Sequence, residues 1–117
     1  MEKTIKIGNN EIRMRASALI PRLYRNKFGR DVISDMRKLQ TSVKKAESGE
    51  EQLDIADLTI FENIAWLMCK HADPSVPDDP DEWLDGIDGV FSVYEILPEI
   101  LELWSQSQQT TSVPRKK

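Results

Sequence analysis

Few residues of this chain could do chemistry. Cys69 and His71 stand two apart, a thiol and an imidazole of the kind that ligates zinc or forms a nucleophile–base pair. They are the only cysteine and the only histidine in 117 residues. A zinc site needs further Cys or His ligands, which the sequence lacks. Side chains two apart on a helix also point away from each other. The pair therefore reads as a buried thiol and a helix-end histidine near the C-terminal dipole. The acidic stretch from Asp73 to Asp88 does not fit a calcium loop. Counted from Asp81, its third position is Trp83 and its twelfth is Ser92, where an EF-hand needs an oxygen ligand and a glutamate. It reads as a solvated acidic face or a docking surface for a basic partner. Asp54, Asp57 and Glu62 include helix-spaced carboxylates, but nothing marks a cleft around them. With no phosphate loop, no Gly-x-Ser-x-Gly and a single histidine, neither an enzyme nor a bound metal or cofactor is expected.

Recognition remains. Residues 22 to 31 read Arg-Leu-Tyr-Arg-Asn-Lys-Phe-Gly-Arg-Asp. Tyr24 and Phe28, four apart, share one face of a helix, and Arg22, Arg25, Lys27 and Arg30 surround them. Such a face can contact phosphates and stack on bases. An i, i+4 aromatic pair can equally be core. Charge weighs against a polyanion. Residues 1–45 carry twelve Lys/Arg and four Asp/Glu, whereas residues 46–112 carry one Lys and sixteen Asp/Glu. The acidic part would repel nucleic acid, so binding is expected to be weak and nonspecific at most. This polarity has two readings: the basic part packs beside the acidic part, or oppositely charged surfaces serve self-association or two partners.

The elements that position these residues are legible as patterns. Thr4–Ile7 and Glu11–Arg15 alternate polar and apolar residues around Gly8-Asn9-Asn10, the pattern of a β-hairpin with Ile5, Ile7, Ile12 and Met14 on its buried face. Two strands alone are marginal in water, so this face must lie on helices. Ser17 is the expected N-cap of a helix over 18–28, with Pro21 in its first turn and Gly29 as its left-handed stop. Asp31 caps a second helix over 32–45, with Ile33, Met36, Leu39 and Val43 on one side. A polar loop over 47–52 precedes a third helix over 55–72, apolar around most of its circumference and so central. After the proline-rich loop 73–80, Asp79-Pro80-Asp81-Glu82 starts a short helix carrying Trp83. A last helix begins between Gly89 and Ser92, with Val90, Val93, Tyr94, Leu97, Leu101 and Trp104 as its stripe and Pro98 kinking or splitting it. The fold class is thus mainly α, with a small N-terminal hairpin packed on four to five helices. One domain spans 1–105, and 106–117 form a disordered polar and basic tail.

Composition agrees. Apolar residues make up 39% of the chain and charged residues 31%, enough for one core. No apolar run approaches the roughly 18 residues of a membrane span. The N-terminus lacks the apolar h-region of a secretory signal. A lone cysteine forms no internal disulfide and fits a reducing cytoplasm.

Taken together, Ile5-Lys-Ile-Gly-Asn-Asn-Glu-Ile-Arg-Met-Arg15, Pro21-Arg-Leu-Tyr-Arg-Asn-Lys-Phe-Gly-Arg-Asp31, Ile64-Ala-Trp-Leu-Met-Cys-Lys70, Pro80-Asp-Glu-Trp-Leu84 and a last helix with Trp104 resemble the tail assembly chaperones of long-tailed phages and prophages of Gram-positive bacteria. The resemblance covers about residues 3–105. It implies a protein that binds the aggregation-prone tape measure protein, keeps it soluble and helps recruit the major tail tube protein. Such a chaperone acts in the host bacterial cytoplasm, is absent from the mature virion and has no catalytic residues. The residues assigned to partner binding are Arg22, Tyr24, Arg25, Phe28 and Arg30 of the first helix, with Trp104 of the last. The family often makes a longer product by ribosomal slippage, and Lys116-Lys117 is the expected slippery site. The alternative is a small nucleic-acid-binding regulator that uses the basic part. A mobile-element adaptor or antitoxin-like protein is a third reading.

Overall fold

The computed structural model describes residues 1–7, 10–89 and 92–112, with side chains described as far as Ser107. Strands β1 (Glu2–Ile7) and β2 (Asn10–Arg15) pair antiparallel, with Ile5 opposite Ile12 and Lys3 opposite Met14. The residues of the expected hairpin turn, Gly8 and Asn9, lie outside the described residues, as does Val90. Of the four apolar side chains expected on the inner face, Ile7 and Met14 are buried and Ile5 and Ile12 half-buried. A two-stranded ribbon covers only part of its own face, and helices complete the rest.

Five α-helices follow: α1 (Ile20–Phe28), α2 (Val32–Glu47), α3 (Ile55–Ala72), α4 (Pro80–Asp85) and α5 (Leu97–Ser112), the last preceded by a 3₁₀ turn over Ser92–Ile96. Their ends obey local chemistry. Gly29 stops α1 in the left-handed region at φ 68°, and its N–H donates to the Arg25 carbonyl. The Asp31 carboxylate accepts from the Ile33 N–H and starts α2. Asp54 and Asp57 form a reciprocal capping box at the start of α3. Asp79 accepts from the Glu82 N–H ahead of Pro80. Ser17 is not the N-cap, because α1 begins two residues later than expected. Its hydroxyl accepts from the Leu19 N–H, and α1 opens at Ile20 with Leu19 as its N-cap.

Ten of the eighteen residues of α3 are buried, which makes it the central helix, packed against β2, α1, α2, α4 and α5. Burying each large side chain of this kind contributes on the order of 1.5–3 kcal/mol, and one cluster of buried residues runs from Ile7 through Tyr24, Met36 and Phe61 to Trp104. Pro98 falls in the first turn of α5, where its missing N–H costs nothing, and the helix is divided there from the 3₁₀ turn. The buried stripe of this region is Val93, Ile96, Ile100, Leu103 and Trp104, with Leu97 and Leu101 only half-buried. Val93 and Trp104 of the expected stripe are buried as expected, whereas between them Ile96 and Ile100 take the inner places of Leu97 and Leu101, because the tighter 3₁₀ winding shifts the phase. Helix α5 also runs to Ser112, past the boundary expected at residue 105; residues 113–117, with the expected slippery site, lie outside the described residues. Among the described residues no helix is long and apolar enough to cross a membrane.

Candidate partner-binding groove

The aromatic face of α1 points inward. Tyr24 is 0% exposed. Its ring lies 5.0 Å from that of Phe28, and Phe28 in turn meets Trp66 edge-on at 5.9 Å. The Tyr24 hydroxyl donates to the Asp35 carboxylate at 2.7 Å. Arg30 clasps the same carboxylate with two hydrogen bonds of 2.7 and 2.8 Å. These bonds, Arg30's first, hold the Asp35 carboxyl below the usual carboxylate range against its own burial. Burial and the neighbouring carboxylate push the Tyr24 phenol up.

The residues assigned to partner binding therefore divide. Tyr24 and Trp104, the latter 6% exposed, are core side chains, and their assignment as contact residues is corrected. Tyr24 finds its hydroxyl's acceptor, Asp35, in the interior, and Trp104 belongs to the buried stripe of α5. Phe28 is half-buried, Arg30 is engaged with Asp35, and Arg22 and Arg25 are exposed.

The polar groups on and around α3 are also accounted for. Cys69 is buried, and burial pushes its thiol up to about 12. His71 Nε2 lies 2.8 Å from the Ser17 hydroxyl, which ties the end of α3 to the turn before α1. Burial, then Arg15 and the N-terminal ammonium, lower the imidazole pKa, while Glu2 opposes them. Asp57 is buried. Burial raises its carboxyl, but hydrogen bonds from Lys38, the Asp54 N–H and Ser42 overcome this and leave it below the usual range. Among the described residues no three His, Cys, Asp or Glu side chains gather to hold a metal ion.

The opening most suited to a partner lies between α1 and α3, beside the assigned residues. Leu19, Leu23, Asn26 and Lys27 form one wall, at the three- and four-residue spacing of a helix face. Trp66, Leu67, Lys70 and His71 form the other wall and the floor, and Pro74 closes one end. The groove is open, largely apolar and about 620 Å³ in volume, within the range of about 300–1,000 Å³ typical of binding sites. Leu19 is 44% exposed at its rim, while Trp66 and Leu67 are buried beneath. The Trp66 indole N–H donates to the Pro77 carbonyl at 2.8 Å, which fixes the ring. Lys27 Nζ stands 5.4 Å above the ring's centroid. Lys70 Nζ donates to the carbonyls of Pro74 and Val76 and pairs with Asp78 at 2.7 Å.

Sequence reasoning passed over Leu19, Leu23 and Trp66 as contact residues. One signal was present: Leu19 and Leu23 are four apart, on a different side of α1 from Tyr24 and Phe28, so one helix carries two apolar edges. Compared with protein-family profiles, with curated proteins and with solved structures, the chain matches none of them.

Proposed function

We propose that this protein is a tail assembly chaperone of the phage and prophage kind. It binds the tape measure protein, keeps it soluble and helps recruit major tail tube subunits, acts in the host bacterial cytoplasm and is absent from the mature virion. The observation that carries this reading is the α1–α3 groove, an exposed apolar trough on a fixed tryptophan floor. An apolar trough between helices suits the apolar edge of an extended helical partner. A chain that covers such edges while they await assembly raises the partner's solubility by mass action. The resemblance of the hairpin, the Tyr24–Asp31 segment and the Trp83 segment to tail assembly chaperones points the same way.

Co-expression with the tape measure protein tests it. Soluble yield of that protein is expected to rise, and the two proteins are expected to co-purify. Unchanged yield with no complex overturns the reading. The nucleic-acid alternative is not favoured, because Tyr24, the ring that would stack on bases, is buried and hydrogen-bonded to Asp35.

A further inference from the structure

We propose that the α1–α3 groove selects helices that carry a carboxylate beside their apolar stripe, and that Asp78 of the chain itself occupies the carboxylate's place until the partner displaces it. The inference rests on the reading of this groove as the holding site and names the chemistry that the site prefers.

The titratable residues lining the groove are Lys27, Lys70 and His71, and no Asp or Glu lines it. This basicity is local, since the chain as a whole carries a net charge of −4. The two lysines converge on one residue. Lys70 Nζ is 2.7 Å from the Asp78 carboxylate, and Lys27 Nζ donates to the Asp78 carbonyl at 3.3 Å. The Asp78 side chain is 93% exposed, so its carboxylate gives up little by leaving. Lys70 would keep its bonds to the Pro74 and Val76 carbonyls, so the loop stays anchored when Asp78 departs. An incoming carboxylate thus finds the Lys70 ammonium already held in place by the loop carbonyls.

Geometry sets the length of the occupant. Leu19 to Lys27 is eight residue steps, about 12 Å of helix at 1.5 Å per residue. That is roughly two turns, room for two apolar side chains at i and i+4 with a carboxylate one turn further on. A helix with lysine at that place would meet Lys27 and Lys70 with like charge.

The test uses the full chain, labelled with ¹⁵N, and two synthetic sixteen-residue helical peptides. Both carry leucines at i and i+4; one has glutamate at i+8, one turn further on, and the other has lysine there. The acidic peptide is expected to shift the Trp66 indole and the Leu19 and Leu23 amide signals and to bind about tenfold more tightly than the lysine peptide. Asp78→Asn, on an exposed loop side chain, should tighten the acidic peptide by about threefold by removing the internal competitor, and Lys27→Gln should weaken it by a similar factor. Equal binding of the two peptides overturns the proposal. So do shifts confined to other surfaces, no shifts with either peptide, and an Asp78→Asn variant that binds the acidic peptide more weakly. Concentration-dependent shifts of the same signals in the free chain would assign the groove to a second copy and also overturn it. A chain that solubilises the tape measure protein but ignores the acidic peptide defeats this proposal alone. Peptide binding as expected, without any effect on the tape measure protein, defeats the chaperone reading alone.

Discussion

Two openings of this protein differ in lining more than in size. The α1–α3 groove is apolar with basic edges. The cleft between the hairpin and α4 is larger, about 740 Å³, yet its titratable lining is Glu11, Glu82, Asp88 and Glu95. Volume alone would favour the second. Its carboxylates are well hydrated, and covering them costs desolvation that few contacts return. The groove instead offers Leu19 and Leu23 to a partner above a tryptophan that is already ordered. The uneven charge of the sequence is thus expressed twice. Part of it is neutralised within the molecule by ion pairs, where Lys3 meets Glu99 and Glu102 at the surface and Lys38 meets the buried Asp57. Part remains as a basic groove and an acidic cleft.

The comparison can be broken most severely at its floors. Trp66→Ala removes the groove floor and its bond to Pro77 and should cost about 4 kcal/mol, whereas Trp83→Ala, beneath the acidic cleft, should cost about 3 kcal/mol. Urea unfolding of both variants measures the difference; an unchanged midpoint for Trp83→Ala would place that ring at the surface. Next comes the anchor of the groove's first wall. Asp35→Ala leaves the buried Tyr24 hydroxyl without its acceptor and should destabilise by about 2 kcal/mol. A neutral result would mean that α1 holds its place by packing alone.

A smaller effect is expected from pH at the groove's end. The folded pKa of His71 lies below its unfolded value, so the unfolded state binds the proton more readily. The His71 contribution is therefore complete above about pH 6.5 and is lost as pH falls from there through the lower folded pKa. The lowered carboxyls of Asp35 and Asp57 act in a separate window, because their contributions are complete above the unfolded carboxyl's value of about 3.8 and are lost at more acid pH. Melting temperature followed from pH 7.5 to 5 should decline in the native chain and decline less in His71→Gln. Equal slopes would remove His71 from the linkage. The smallest expected effect is at the cleft. Glu82→Gln and Glu95→Gln, on exposed side chains, should each change stability by less than about 0.5 kcal/mol and leave groove binding as it was.

Local signals in the sequence determined the elements and most of their ends, because each rests on neighbours in the chain. Asp31, Asp54 and Asp79 cap through bonds to backbone two or three residues on, and Gly29 turns without a Cβ. The apolar circumference of α3 likewise marked it as the centre. Where α5 ends and which of its faces is buried were less legible, since the 3₁₀ turn ahead of it changes the residue phase.

What only the tertiary structure decided is which apolar residues are left over. Tyr24 and Leu23 are adjacent on α1, and both belong in a core by composition. Tyr24 is buried because Asp35, eleven residues away, offers its hydroxyl an acceptor; Leu23 lines the groove because, among the described residues, no element covers that side of α1 and α3. Burial of this kind depends on contacts between distant segments, such as Trp66 with Phe28 and with Pro77. Periodicity tells which residues share a face, and only the packing of the helices tells which faces meet.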